Sequence, residues 1–317
     1  MACDAPITIK YKEPIPDGKG GFIWTFPADC GKCLKCLIKR KAQWSFRLVE
    51  QKRVSFSSYF VTLTYDDKNL PLGDCGGTIN KNDHFEFIKN LKKLEKDKYL
   101  KQREYISIEE FGRKNAKVKG EKSQRLAYYG VYEYGDRFSR PHGHYILFNV
   151  RDISNIDLAW TTFVRDNADK SGLEIGDPKG RVQIDECNVN TIDYVLKYMV
   201  KDHSSFKFDD RQKEVSFMSK GLGITYVDDD FIKYINRVDA NQVMNSRGSI
   251  IPLPRYYRKK FINEENVEAK NRYIAEEIEK QTKKEEKKYG SDYDRLIKES
   301  KDRRLYLMKM RQKRNVE

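Results

Sequence analysis

His142 and His144 are two of only four histidines in 317 residues, and a single residue separates them. On a strand that spacing sends both imidazoles to one face, where two neutral rings make half of a metal site. Glu133 lies near the end of the preceding apolar segment, and a hairpin would bring its carboxylate beside the rings. Two imidazoles and a carboxylate suit Mn2+ or Mg2+ with open positions, the arrangement that polarises a phosphoryl oxygen. The competing reading of Glu133 is a surface carboxylate paired with Arg137 or Arg140. A second group is Tyr194-Val-Leu-Lys197-Tyr198. Tyrosines four residues apart share one helix face. A phenolate is a covalent nucleophile once its pKa of about 10 is met by nearby positive charge, which a bound metal and the Lys197 ammonium would supply. In a chain with 20 tyrosines the same pair also serves as core or interface.

A third group is sulfur. Cys30, Cys33 and Cys36 stand in CGKCLKC. Two-residue gaps let thiolates face one ion, and a tetrahedral structural zinc needs a fourth ligand. Cys3 is the candidate, with Cys75 and Cys187 as outsiders. The alternative is thiols packed against a core, because the segment after Cys33 reads as helical. The opening MACDAPITIK holds no apolar signal stretch and no run approaches a membrane span, so disulfides are not expected.

These groups need elements to hold them. Residues 1–30, with Pro6, Pro14, Pro16 and Pro27, read as irregular. Residues 34–54 read as a helix with Leu37, Trp44 and Leu48 inward and a basic surface of Lys39, Arg40, Lys41, Arg47, Lys52 and Arg53. That surface is either a solvated face or one that meets DNA. YFVTLTYDD, 59–67, alternates as a strand, and Asp83 is placed to cap a helix carrying Phe87, Leu91 and Leu94. Residues 98–125 read as an exposed insertion. AYYGVYEY, 127–134, and HGHYILFNV, 142–150, read as strands joined by a hairpin. Helix 155–166, strand 181–187 and helix 191–202 follow, and the pattern weakens beyond 225. The order β-α-β-β-α-β-α implies an α+β fold, a largely antiparallel sheet covered by helices on one face. Three parts are expected: 1–56, a cysteine-containing segment with a basic helix; 57–260, the domain that holds the chemistry; and 261–317, a charged helical tail.

Lys+Arg number 62 against 48 Asp+Glu, a net charge of +14, which favours an anionic partner, nucleic acid first. Arg40, Lys41, Arg47 and Lys201 are the candidate DNA contacts. The 12% aromatic content rules out a disordered chain and allows a sizeable core.

Taken in order, TLTYDD, then EYGDRFSRPHGH, then YVLKY on a helix resembles the HUH endonucleases, specifically the rolling-circle replication initiators of microvirus (gokushovirus-type) phages. An early cysteine, the CGxCxxC segment before a Trp-bearing basic helix, and PRYY at 254–257 extend the resemblance over roughly residues 3–260. The resemblance implies a ferredoxin- or RRM-like palm. It implies a divalent ion on His142, His144 and Glu133, nucleophiles at Tyr194 and Tyr198, and Lys197 stabilising the phosphate. The implied activity is nicking of single-stranded origin DNA through a 5′-phosphotyrosine, with later religation. The implied partners are the host helicase and polymerase, in the cytoplasm of a host bacterium. One departure is Gly143, where the family usually has a bulky residue between the histidines. Other readings are a non-catalytic sequence-specific DNA-binding protein, or an HUH-type transposase or relaxase.

Overall fold

The computed structural model describes Cys3 and residues 7–16, 20–95, 125–135, 138–166, 173–200, 211–237, 239–240 and 242–262, with isolated positions beyond. The expectations for 98–124, for Lys201 and for most of the charged tail fall outside these residues.

The fold is α+β. β1 (Ile7–Pro16) and β2 (Phe22–Ala28) form a ribbon that leads into α1 (Leu34–Val54). Then come β3 (Ser58–Thr64), the short pair β4 (Leu72–Gly73) and β5 (Gly76–Gly77), and α2 (Lys81–Leu94). β6 (Ala127–Tyr134) and β7 (Pro141–Phe148) make the central hairpin. α3 (Ser154–Ala159), β8 (Val164–Asp166), β9 (Leu173–Ile175), β10 (Val182–Glu186) and α4 (Val189–Lys197) follow. β11 (Val215–Met218), α5 (Asp229–Asn236), β12 (Gln242–Met244), β13 (Ile250–Pro252) and α6 (Arg255–Phe261) complete the described elements. The main sheet has the order β10-β3-β7-β6-β11, antiparallel throughout.

Helices cover both faces of this sheet, where one covered face was expected. Val61, Leu63, Tyr132, Tyr145 and Leu147 pack on Phe87 and Leu91 of α2 and Ile156 of α3. Residues of the other parity, Phe60, Tyr129, Val131, Ile146 and Phe148, pack on Leu48 of α1 and Ile192, Val195 and Leu196 of α4. β6 and β7 therefore form a middle layer with both sides buried. That is the physical meaning of the nearly unbroken apolar runs YYGVY and YILF, which a one-sided sheet would not need. Each fully buried Leu or Phe in these layers contributes about 2 kcal/mol.

Four further expectations are corrected. Residues 1–30 are not irregular, because β1 and β2 pair antiparallel. The prolines are tolerated because each strand of a two-stranded ribbon has a free edge that needs no N–H. The helix at 155–166 stops at Ala159, and Val164–Asp166 pairs with Leu173–Ile175 as strand. The β-branched, aromatic run Thr161-Thr162-Phe163-Val164 favours strand, and Trp160, buried, donates from Nε1 to the Thr64 carbonyl at 2.9 Å. α2 begins at Lys81, two residues earlier than expected. Its cap is Asn80, whose side chain accepts from the Asn82 N–H, while Asp83 takes the Tyr65 hydroxyl and the Lys179 ammonium. Beyond 225, Val227, Phe231, Ile235, Val243, Leu253 and Tyr257 gather around Phe46 of α1 in a third core cluster. None of the helices among the described residues is long and apolar enough to cross a membrane.

Candidate active site and metal centre

The central hairpin places the first group. Glu133 and His142 are register partners across β6 and β7, and His144 lies two residues on, over the same face. Their ligand atoms all lie within 4.8 Å of one another. Glu133 Oε1 is 2.9 Å from His142 Nε2 and 3.2 Å from His144 Nε2. Arg140 bonds Asp67 and the Tyr65 carbonyl rather than Glu133, and Arg137 lies outside the described residues.

The donor set fits a cation. The Arg140 carbonyl, 3.1 Å from His142 Nδ1, can only accept, so it holds the ring proton on Nδ1. That leaves the Nε2 lone pair aimed at a carboxylate oxygen, and two lone pairs at such a distance repel unless a proton or a cation lies between them. Thr62, the register partner of His144, meets its Nδ1 at 3.0 Å and orients the second ring. Burial alone would raise the Glu133 carboxyl, but hydrogen bonds from His142, His144 and Tyr198 outweigh it and hold the group well below the usual carboxylate range. Burial lowers His144, which favours the neutral ring that a metal needs.

α4 places the second group. It starts in a capping box between Asn188 and Thr191 and is docked on α1 by Ser45, whose hydroxyl donates to Asp193 at 2.9 Å. It ends at Lys197, short of the expected residue 202, with Tyr198 as its C-cap. The Tyr198 hydroxyl donates to Glu133 Oε1 and lies 3.4 Å from the Tyr194 hydroxyl. Tyr198 is 5% exposed and Tyr194 is 38% exposed, so one is inside the site and the other at its mouth. Burial and the facing carboxylate push the Tyr198 phenol well above its ordinary range. The Lys197 ammonium sits 4.0 Å over the Tyr194 ring and 4.9 Å over the Tyr198 ring. Phe60 forms a wall, stacked on His144 and edge-on to Tyr194. Sequence reasoning singles out neither Phe60 nor Thr62. Both lie at even positions of a strand whose odd positions are core, and that alternation is the available signal.

Gly143 faces away from the ligands. A Cβ there would meet the Tyr145 and Tyr132 rings at 3.0 and 3.2 Å, and Tyr132 is its register partner. Gly130, the register partner of Tyr145, is closed in the same way, with ring atoms at 2.4 Å from a Cβ. The departure from the family pattern is thus absorbed by aromatic packing on the α2 side of the sheet.

The candidate DNA contacts separate. Arg40 is exposed and, with Trp44, belongs to two adjoining recesses. One reaches Tyr198 and Met199, and the other reaches Arg255, Tyr256 and Lys259. Lys41 is half-buried in the field of Asp193, Arg247 and Lys197. Arg47 departs from the basic-surface expectation for its helix: it is buried, gives Nε and Nη2 to the Leu222 carbonyl at 3.0 and 2.8 Å, and lies between the Trp44 and Tyr256 rings. Cys3, Cys30, Cys33 and Cys36 come together at the start of α1, while Cys75 is exposed and Cys187 is buried in the α1–α4 core.

The chain is 26% identical over 258 residues to "Replication-associated protein ORF4" of Chlamydia phage 1, covering 77% of this chain and 56% of that protein. It is 25% identical over 251 residues to "Replication-associated protein VP4" of Bdellovibrio phage phiMH2K, covering 74% of this chain and 67% of that protein. The chain thus spans just over half the length of the Chlamydia phage relative. No solved structure matches it. Residues 113–203, the stretch that holds Glu133, His142, His144, Tyr194, Lys197 and Tyr198, match the family model of the replication-associated protein ORF2, in agreement with the resemblance read from the motifs.

Proposed function

We propose that this chain is a replication initiator, a metal-dependent site-specific endonuclease that nicks one strand of phage DNA at the origin and later rejoins it. The observation that carries the reading is the meeting of two tyrosine hydroxyls, 3.4 Å apart, at the Glu133–His142–His144 face. Glu133, His142 and His144 would hold a divalent ion, Mg2+ or Mn2+, which when bound supplies positive charge to the phosphodiester under attack. The oxygen of one tyrosine, its proton lost, attacks phosphorus. The bond from phosphorus to the 3′ oxygen breaks, that oxygen takes up a proton as a free hydroxyl, and the 5′ phosphate stays esterified to the tyrosine. Lys197, against both rings, favours the phenolate form and meets charge on the phosphate. The host polymerase extends the 3′ hydroxyl while a helicase opens the duplex, in the host cytoplasm. The second tyrosine then cleaves the regenerated origin, and the free 3′ hydroxyl attacks the first phosphotyrosine and closes a circle. No ATP is needed, because the tyrosine ester preserves the phosphodiester.

The strand approaches along the two recesses that share Arg40 and Trp44. Aromatic faces for bases beside cations for phosphates are what a single strand requires. The test is a single-stranded origin oligonucleotide incubated with the protein and Mn2+, read on a denaturing gel for a covalent adduct. The expected result is an adduct lost in the Y194F/Y198F double variant and in chelator. An adduct that persists in the double variant sinks the nucleophile assignment, and tight binding without cleavage would favour a non-catalytic DNA-binding protein.

A further inference from the structure

We infer that Cys3, Cys30, Cys33 and Cys36 hold a structural zinc ion that clamps the β1–β2 ribbon to the start of α1. The inference is independent of the proposed nuclease chemistry. The Cys3–Cys33 sulfurs are 3.8 Å apart and the Cys30–Cys36 sulfurs 3.9 Å apart, two pairs with no shared member, and all four lie within 4.8 Å of one another. Zinc–thiolate bonds of about 2.3 Å in a tetrahedron give sulfur–sulfur edges of about 3.8 Å. The cysteines are not joined as disulfides.

Backbone donors surround this sulfur. The Cys30 N–H points at Cys3 Sγ at 3.3 Å, and the Lys32 and Cys33 N–H groups point at Cys30 Sγ at 3.5 and 3.3 Å. Amide donors aimed at sulfur stabilise thiolates and are the usual outer layer of a metal–cysteine site. The helix supplies a further reason. Cys33 is the N-cap of α1 yet makes no side-chain cap bond, and the first turn of this helix holds no acid. A helix N-terminus favours negative charge. Four thiolates around one Zn2+ leave a net negative charge at that end, so the metal cluster takes the place of an acidic cap.

The ribbon needs the clamp. Ile7, Phe22 and Trp24 are at least half exposed, so the two strands have little core of their own. A two-stranded ribbon is marginal in water unless something else fastens it. Cys3 lies before β1, Cys30 follows β2, and Cys33 and Cys36 open α1, so one ion would tie both ends of the ribbon to the helix that packs under the tyrosine-bearing α4. Binding of the ion and ordering of the ribbon would then be one event.

The test uses the full chain purified under reducing conditions, with metal content measured and zinc exchanged for Co2+. One zinc per chain is expected, and the cobalt form should show thiolate-to-cobalt charge-transfer and tetrahedral d–d bands. Those bands should survive in H142A/H144A, which removes the other candidate metal centre, and vanish in C33S/C36S. Stripping the zinc should speed tryptic cleavage at Lys10 in β1 at least tenfold while the sheet domain stays intact. Cobalt bands without thiolate character would overturn the inference. So would zinc lost with His142 and His144, iron in place of zinc, or disulfides among these four cysteines.

Discussion

Glu133 and His142 face each other across β6 and β7, and the carboxylate oxygen that meets His142 also meets His144 and accepts the Tyr198 hydroxyl. One oxygen thereby links the metal-binding groups to a nucleophile candidate. E133Q keeps the shape and removes the charge. The expected outcome is a folded protein whose Mn2+ affinity falls by about 100-fold or more, with metal-dependent nicking lost. Calorimetric titration with Mn2+ checks it, and an affinity equal to the parent's would refute the ligand assignment.

Thr62 reaches His144 from the neighbouring strand and touches none of the other ligands. T62V preserves the β-branched shape and deletes the oxygen. Metal affinity should drop roughly 10-fold to 100-fold, the cost of freeing an imidazole to rotate, while the melting temperature barely moves. If affinity is unchanged, His144 is oriented by packing against Phe60 alone.

Arg255 and Lys259 lie in the recess that begins at Arg40 and Trp44. Both are exposed, so R255A/K259A should leave stability intact. Affinity for a single-stranded oligonucleotide should weaken, and the slope of log affinity against log salt should shrink by about 0.7 for each phosphate contact removed. A parallel salt plot for parent and variant would place the strand elsewhere.

His84 is buried, with Nδ1 2.8 Å from the Tyr145 hydroxyl and its ring stacked on Phe217. Burial, helped by Lys92, holds its imidazole down to about 4 from an ordinary 6.5. The unfolded chain therefore binds a proton that the folded chain refuses between those two values. Stability is full above pH 6.5 and falls as pH drops towards 4, by an amount on the order of 3 kcal/mol from this residue. H84Q has nothing to titrate there, so its denaturant midpoint should lose less over the same window. Parallel pH profiles for the two proteins would count against the assignment.

The site was more legible than the scaffold. Histidines two apart on a strand, a carboxylate one hairpin away and tyrosines four apart on a helix are local patterns, and backbone periodicity carries them into three dimensions without knowledge of the rest. The second helical face was not legible from the period-two pattern, because Tyr129 and Tyr132 are both apolar and their burial on opposite sides differs only in which helix covers each. Thr161–Val164 misled through the helix-like spacing of Ile156 and Ala159, with β-branching the overriding term. Arg47 misled because a charge on a helix reads as surface until two aromatic rings and a carbonyl are seen to enclose it.

The glycines of the central hairpin divide its labour. On β7, even positions carry the imidazoles and odd positions, from Gly143 to Leu147, carry packing. A saturation scan of 141–148, scored separately for abundance and for nicking, should therefore come out striped. His142 and His144 substitutions should keep the protein plentiful and silent. Bulky replacements at Gly143, like G130A against the Tyr145 ring, should deplete it, at about 1–3 kcal/mol each. Such a ladder of alternating tolerance would let chemistry and solidity drift independently along a single eight-residue strand.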